Sequence, residues 1–219
     1  MTFGELRINV GCGTDVAPGW QNVDKSPSVW LAKLPRTRRL LSSLRILTPE
    51  QATGLPEGII SADASKRLPF ADGSAAYIYS GHMIEHLSRW QGAAFLAECH
   101  RVLGLDGVLR ISTPDLAQLV RSYLNGEIVV DGATTPADSF VLEYGAYFDL
   151  PMSPVQRLVR RHFSGAIHQW LYDEDSLTTL LKEAGFTDAR RCEYRVGAVP
   201  DLESVEHRPR SLFLEARKG

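Results

Sequence analysis

The chain has 219 residues, 44% hydrophobic and 23% charged, with a formal net charge of −2. That suits a single domain with a full core and gives no general pull toward nucleic acid or an anionic membrane. Three scattered cysteines (Cys12, Cys99, Cys192) suit neither a disulfide framework nor a zinc cluster, and with no bilayer-length apolar run and no signal-peptide pattern the expected home is a reducing cytoplasm.

Short apolar runs alternate with helical patterns, as in a parallel sheet built from crossover units. "LRINVG" predicts a first strand that breaks into Gly11-Cys12-Gly13. The chain turns at Pro18-Gly19 and returns as "QNVD", a second strand ending on Asp24. Next comes "KSPSVWLAKLPRTRRLLSSLRIL", with Lys25, Lys33, Arg36, Arg38, Arg39 and Arg45 and no acid. It reads as a solvated helix face, a lid, a partner surface or a docking patch for an acidic substrate. "GIISAD" (58–63) and "AAYIYSGH" (75–82) predict strands three and four. "WQGAAFLAECHRVL" puts Phe95, Cys99 and Val102 near one helical face, with Gly104 as a stop. "GVLRIST" (107–113) predicts strand five, and Pro114-Asp115 opens the helix "DLAQLVRSYL".

Beyond Asn125-Gly126 the rhythm is lost, and residues 127–166 predict no regular element, although they carry Phe140, Tyr144, Tyr147, Phe148 and Phe163. "YDEDSLTTLLKEAGF" restores helical spacing, with Asp173 or Asp175 as cap and Gly185 as its end. "DARRCEYRVG" and "SLFLEARK" predict two closing strands. The reading is one domain, 1–219, with insertions at 25–57 and 126–167, the second a cover for an acceptor site.

A glycine turn after a buried strand lets backbone approach a ligand, and an acid ending the next strand can accept from ribose hydroxyls. Gly11, Gly13 and Asp24 are placed for this, although a tight strand-to-helix turn needs glycine even without a ligand. Val16 stands where the dinucleotide fingerprint has its third glycine. That favours a nucleoside ligand without phosphates over a pyrophosphate.

"INVGCGT", "NVD", "ADASKRLPFADGSAAYIYSGHMIEHL", "ECHRVLGLDGVLRISTPD" and "LLKEAGF" follow one another in an order that resembles class I S-adenosylmethionine-dependent methyltransferases. One departure is Asp106, where that family usually has a second glycine. The resemblance implies an α/β, Rossmann-like, doubly wound, seven-stranded and mostly parallel sheet with its last strand antiparallel. It also implies S-adenosylmethionine as cofactor. Backbone at Gly11, Cys12 and Gly13 would run past the methionine part, and Asp24 would bind the ribose. Asp63 would accept from the adenine amino group, and Ala64 would donate its amide to the ring. Ser80, Gly81 and His82 would lie beside the sulfonium. For Asp63, a turn cap is the structural alternative.

An oxygen acceptor needs a base. His82, Glu85 and His86 share a face if "GHMIEHL" is helical, and His162 and His168 are further histidines. His168 or His82 is the expected base, with Glu85 beside it. A divalent metal on this trio is a disfavoured alternative, since His86 more often packs as a satisfied side chain. Asp115 is an acceptor-orienting candidate or an N-cap. Trp170, Tyr172 and Tyr144 are a platform for a sugar face or core packing. The "GCGxxxxxGWxNVD" form resembles bacterial methyltransferases of polysaccharide assembly, and the insertion and arginine usage resemble the mycobacterial methylmannose polysaccharide 1-O-methyltransferases. Methylation of a hydroxyl on a short mannose-type saccharide is therefore the expectation. The rivals are a quinone or other small aromatic acceptor, a non-catalytic cofactor-binding module, and more distantly nicotinamide-dependent oxidation. Apolar residues in the insertions make a homodimer an expectation too.

Overall fold

Four buried or half-buried residues, Arg7–Val10, form β1 at the centre of the sheet, and Gln21–Asp24 runs parallel beside it as β2. In the computed structural model the described residues are 5–13, 15–25, 34–43, 58–127, 135–144 and 168–219. The other strands are β3 (Ile60–Ser61), β4 (Ala75–Gly81), β5 (Leu103–Thr113), β6 (Phe186–Cys192) and β7 (Leu212–Lys218). They make a seven-stranded sheet in the order β3-β2-β1-β4-β5-β7-β6. All neighbours are parallel except β7, which is inserted antiparallel between β5 and β6. The expected fold class is therefore the observed one.

The order reverses between β1 and β4. Open α/β sheets bind ligands at such a switch point, outside the carboxyl ends of the strands. Because β7 is antiparallel, its amino end reaches that same edge, where Leu212 pairs with Thr113 at the end of β5.

The helices are α1 (Pro35–Ser43), α2 (Arg89–Val102), α3 (Leu116–Leu124), α4 (Pro136–Tyr144) and α5 (Glu174–Glu183), with 3-10 turns at Ile84–His86 and Leu202–Ser204. A capping box of Ser88 and Gln91 starts α2, which buries Phe95, Leu96, Cys99 and Val102. Asp173 and Ser176 do the same for α5, and Gly185, at φ +96°, ends it. Along β4 successive side chains alternate, so Ile78 joins one buried cluster, with Phe95 and Leu177, and Tyr79 another, with Trp20 and Val108.

Three expectations need correction. Residues 127–166 do hold a helix, α4, where Thr135 Oγ1 accepts from the Asp138 amide at 3.1 Å and Pro136 takes the first turn. Strand five begins at Leu103 rather than Gly107, so α2 passes directly into the sheet without the expected stop. The third strand is shorter than its apolar run. Asp106 adopts φ +61°, a backbone shape that favours glycine, which accounts for the family's usual residue there. Most of both predicted insertions, including His162, Tyr147, Phe148 and Phe163, lies outside the described residues. Among the described residues no helix is long and apolar enough to cross a membrane.

Candidate functional site

The turn after β1 is held by its neighbour strand. Gly11 and Cys12 donate their amides to the Val23 carbonyl at 2.8 and 3.2 Å, and Gly13 donates to Asp24 Oδ2 at 2.8 Å. Gly11 and Gly13 sit at φ +78° and +55°. Asn22 secures the rest of the loop: its side chain accepts from the Ala17 amide and donates to the Ala17 and Trp20 carbonyls, each at 3.0 Å. The "NVD" run thus pairs a loop-pinning asparagine with the acid that faces the turn. Sequence reasoning used only the acid.

A cavity of about 240 Å³ opens beside this loop. Its walls include Gly11, Cys12 and Gly13, then Gly81 and His82 from the tip of β4, Ser112 from β5, and His207 and Arg208 from the connection between β6 and β7. Asp24, Asp63 and Ala64 are not among its described lining. Asp63 lies beyond β3. Its Oδ1 accepts from the Ser65 amide and hydroxyl at 3.1 and 2.7 Å, and its Oδ2 pairs with Lys25 Nζ at 2.6 Å. Burial would raise the Asp63 carboxyl, but the Lys25 and Ser65 hydrogen bonds outweigh it and hold it below the usual range. Asp63 is thus a turn cap, with a lysine on its outer oxygen.

His82 is part of the same lining. It takes a left-handed backbone, φ +48°, directly after β4. Its Nδ1 lies 3.1 Å from Glu85 Oε1 and its Nε2 2.8 Å from Ser211 Oγ. Glu85 is wholly buried, and its second oxygen accepts from Thr113 Oγ1 at 3.2 Å. Desolvation pushes the Glu85 carboxyl upward, yet the hydrogen bond and charge of His82 and the charge of His86 hold it below the usual range. An ionised carboxylate fixes Nδ1–H on His82 and leaves Nε2 to face Ser211.

The other described histidines of this region, His86 and His168, lie close to each other and to Glu85. The 3-10 turn is too short and His82 lies outside it, so His86 does not share a helix face with His82 as a helical reading expects. It meets His168 instead, with ring centroids 4.9 Å apart. Glu85, His86 and His168 each offer a ligand atom, all within 4.8 Å of one another. Burial lowers the His168 value, partly offset by Glu85. Neither His86 nor His168 is in the described lining of the cavity.

The acceptor candidates divide. Asp115 caps α3 through the Gln118 amide at 3.1 Å and pairs with Arg191 at 2.8 Å. Trp170 is 41% exposed, with the Arg89 guanidinium 5.6 Å from its ring centroid. Tyr172 is a core residue with no exposed surface, so it is no platform. Tyr144 closes α4, and its side chain lies outside the described residues. Ser80 is buried, and its hydroxyl has no hydrogen-bond partner among the described residues. Ser211, Ser112, His207 and Arg208 escaped sequence reasoning. The available signal was topological: an antiparallel last strand brings the residue before "LFLEARK" to the ligand edge.

The residues fit a sulfonium nucleoside. A Cβ on Gly13 would meet nothing within 4 Å, so the loop presents open backbone to the cavity. A Cβ on Gly11 would overlap the Met83 side chain, so glycine there is demanded by the packing of the turn against Met83. Asp15 supplies a carboxylate on the lining, where a positive sulfur is favoured. Burial, followed by the charge of Asp24, pushes the Cys12 thiol up to about 12, so it stays protonated and does not compete for a methyl group.

Residues 35–111 match the family described as "Methyltransferase domain". Probable S-adenosylmethionine-dependent methyltransferases from two strains of Mycobacterium tuberculosis, CDC 1551 and H37Rv, are 28% identical to the chain over 152 residues, which is 69% of this chain. The chain spans only 37% of the length of these curated relatives. Among solved structures, a possible histamine N-methyltransferase from Thermotoga maritima aligns at TM-score 0.49 and 13% identity, covering 98% of this chain and 82% of that one. A methyltransferase from Aquifex aeolicus aligns at TM-score 0.47 and 14% identity, covering 99% and 83%.

Proposed function

We propose that this class I S-adenosylmethionine-dependent methyltransferase transfers a methyl group to a hydroxyl of a short, mannose-type saccharide. The observation that carries the reading is His82 on the cavity wall, oriented by a buried, ionised Glu85. Oxygen acceptors of high pKa need such a base, whereas an amine does not need it in the same way. The polar lining, with Asn9, Asp15, His82, Ser112 and Arg208, suits a saccharide better than a quinone, which asks for an apolar, closed pocket.

When bound, the cofactor supplies an activated methyl on a positively charged sulfur. Gly11, Cys12 and Gly13 would carry its amino-acid portion and Asp24 its ribose. Asp63 would meet the adenine amino group by exchanging its contact with Lys25. The chain's main task is to hold the acceptor oxygen in line with the S–CH3 bond. His82 would accept the acceptor's hydroxyl proton at Nε2 once Ser211 Oγ, which holds that nitrogen's single lone pair, turns to the Arg208 carbonyl, and the bound cofactor would supply the methyl group. Glu85 offsets the charge that then sits on the imidazole. Ser211 has one hydroxyl proton, and two acceptors lie within reach, His82 Nε2 at 2.8 Å and the Arg208 carbonyl at 3.0 Å. It donates to His82 when the ring is neutral and to Arg208 when Nε2 carries a proton, so both states of the base are satisfied.

The test is to incubate the protein with methyl-labelled cofactor and a panel of sugars, phenols and amines. Label is expected on saccharide hydroxyls, and His82→Ala is expected to lower kcat by about 10²–10⁴-fold. Label on amines or phenols alone would reject the saccharide reading. His82→Ala at full kcat would reject the base.

A further inference from the structure

Glu85 is a wholly buried carboxylate with no lysine or arginine partner among the described residues. It hydrogen-bonds one threonine hydroxyl and the His82 imidazole, and His86 and His168 each bring a ring nitrogen within 4.8 Å of one of its oxygens. A buried anion is ordinarily matched by a cation or a metal ion. We propose that Glu85, His86 and His168 form a binding site for one divalent transition-metal ion of the zinc type.

The donor set decides the class of ion. Two imidazole nitrogens and one carboxylate suit zinc, cobalt or nickel, while magnesium and calcium call for oxygen ligands throughout. Three protein ligands leave a fourth position for water. The ligand atoms lie within 4.8 Å of one another. Metal–nitrogen bonds of about 2.0–2.1 Å at tetrahedral angles place ligand atoms about 3.4 Å apart, so the widest-spaced pair has to draw in by up to about 1.5 Å.

The surroundings already hold the ligands in place. His82 and Thr113 fix the two oxygens of Glu85, the outer support that ligating carboxylates ordinarily have. The two segments that carry the histidines are joined by backbone. Gln169 and Trp170 donate their amides to the Glu85 carbonyl at 2.7 and 3.2 Å, and Gln169 Nε2 donates to the His86 carbonyl at 2.7 Å. An ion here would clip the segment before α5 to the turn after β4, one imidazole away from the cavity wall. It would bind there whichever acceptor is methylated, and even if none is.

The whole chain, stripped with a chelator, is to be titrated with Zn²⁺ by calorimetry and with Co²⁺ by visible absorption. The expected result is one ion per chain, Co²⁺ ligand-field bands, and a thermal midpoint that rises with Zn²⁺ concentration. His86→Ala and His168→Ala alter half-buried residues outside the core and should each weaken binding by about 10–100-fold or more. Cys192→Ser should leave it unchanged. Absence of saturable binding at one ion per chain would overturn the site. So would full affinity in both histidine variants, or loss of binding in Cys192→Ser.

Discussion

Gly13 shows how much of the site rests on a missing side chain. Its backbone is left-handed and its Cα faces open space. Gly13→Ala therefore adds a conformational cost of about 1–2 kcal/mol and places a methyl where the cofactor would pass. Calorimetry should show cofactor affinity falling well beyond the loss of stability. Gly11→Ala acts through packing, since the new Cβ overlaps Met83, and its thermal midpoint should fall even without cofactor. Both glycines and Asp24 were legible in the sequence, because local backbone demand and strand register place them. Asn22 and Ser211 were not. Their roles depend on hydrogen-bond partners that only the assembled fold supplies, and Ser211 reaches His82 across 129 positions.

Among the elements, α2 ties the sheet to the turn-rich connection before β4. Glu98 on this helix accepts from the Leu68 amide at 2.6 Å and from Arg101 Nε at 2.8 Å. Burial works to raise its carboxyl, but Arg101 and the Leu68 amide prevail and hold it below the usual glutamate range. A folded value below the unfolded one gives stability that is full above the unfolded value, near about 4.3, and fades as pH falls through the folded value. Glu98→Gln should thus lose about 1–3 kcal/mol near neutral pH. In denaturant titrations the gap from the natural protein should close below about pH 4. The pair was visible in "ECHRVL", since the two residues stand three apart on a helix. By contrast α4 was missed because its apolar spacing is weak, and the Thr135-Pro136 start with Asp138 gave the better signal. The early start of β5 was missed because Gly104 and Asp106 look like breakers, yet here they bend a continuing strand.

At the scale of the whole molecule, Arg110 joins parts of the chain that lie far apart. It is fully buried in β5 and ion-pairs with Glu206 and, at 3.2 Å, with Glu215 of β7. It also donates to the Glu193 and Val196 carbonyls at 2.9 and 3.0 Å. Arg110→Met leaves two buried carboxylates without their shared cation, a loss of about 3–5 kcal/mol that equilibrium unfolding in urea would register. No pattern in "GVLRIST" announced this, because an arginine in a strand ordinarily reads as a solvent-facing position. The insertion of β7 between β5 and β6 has a further outcome. A transcript with a stop codon before position 212 would still encode the glycine turn, both acids and His82, every motif a reader of the sequence would look for. Its product would have an open seam along β5, with β6 stranded from the sheet and the imidazole lacking the strand that seats its serine. An intact set of motifs is thus no guarantee of a working protein when the final strand is missing.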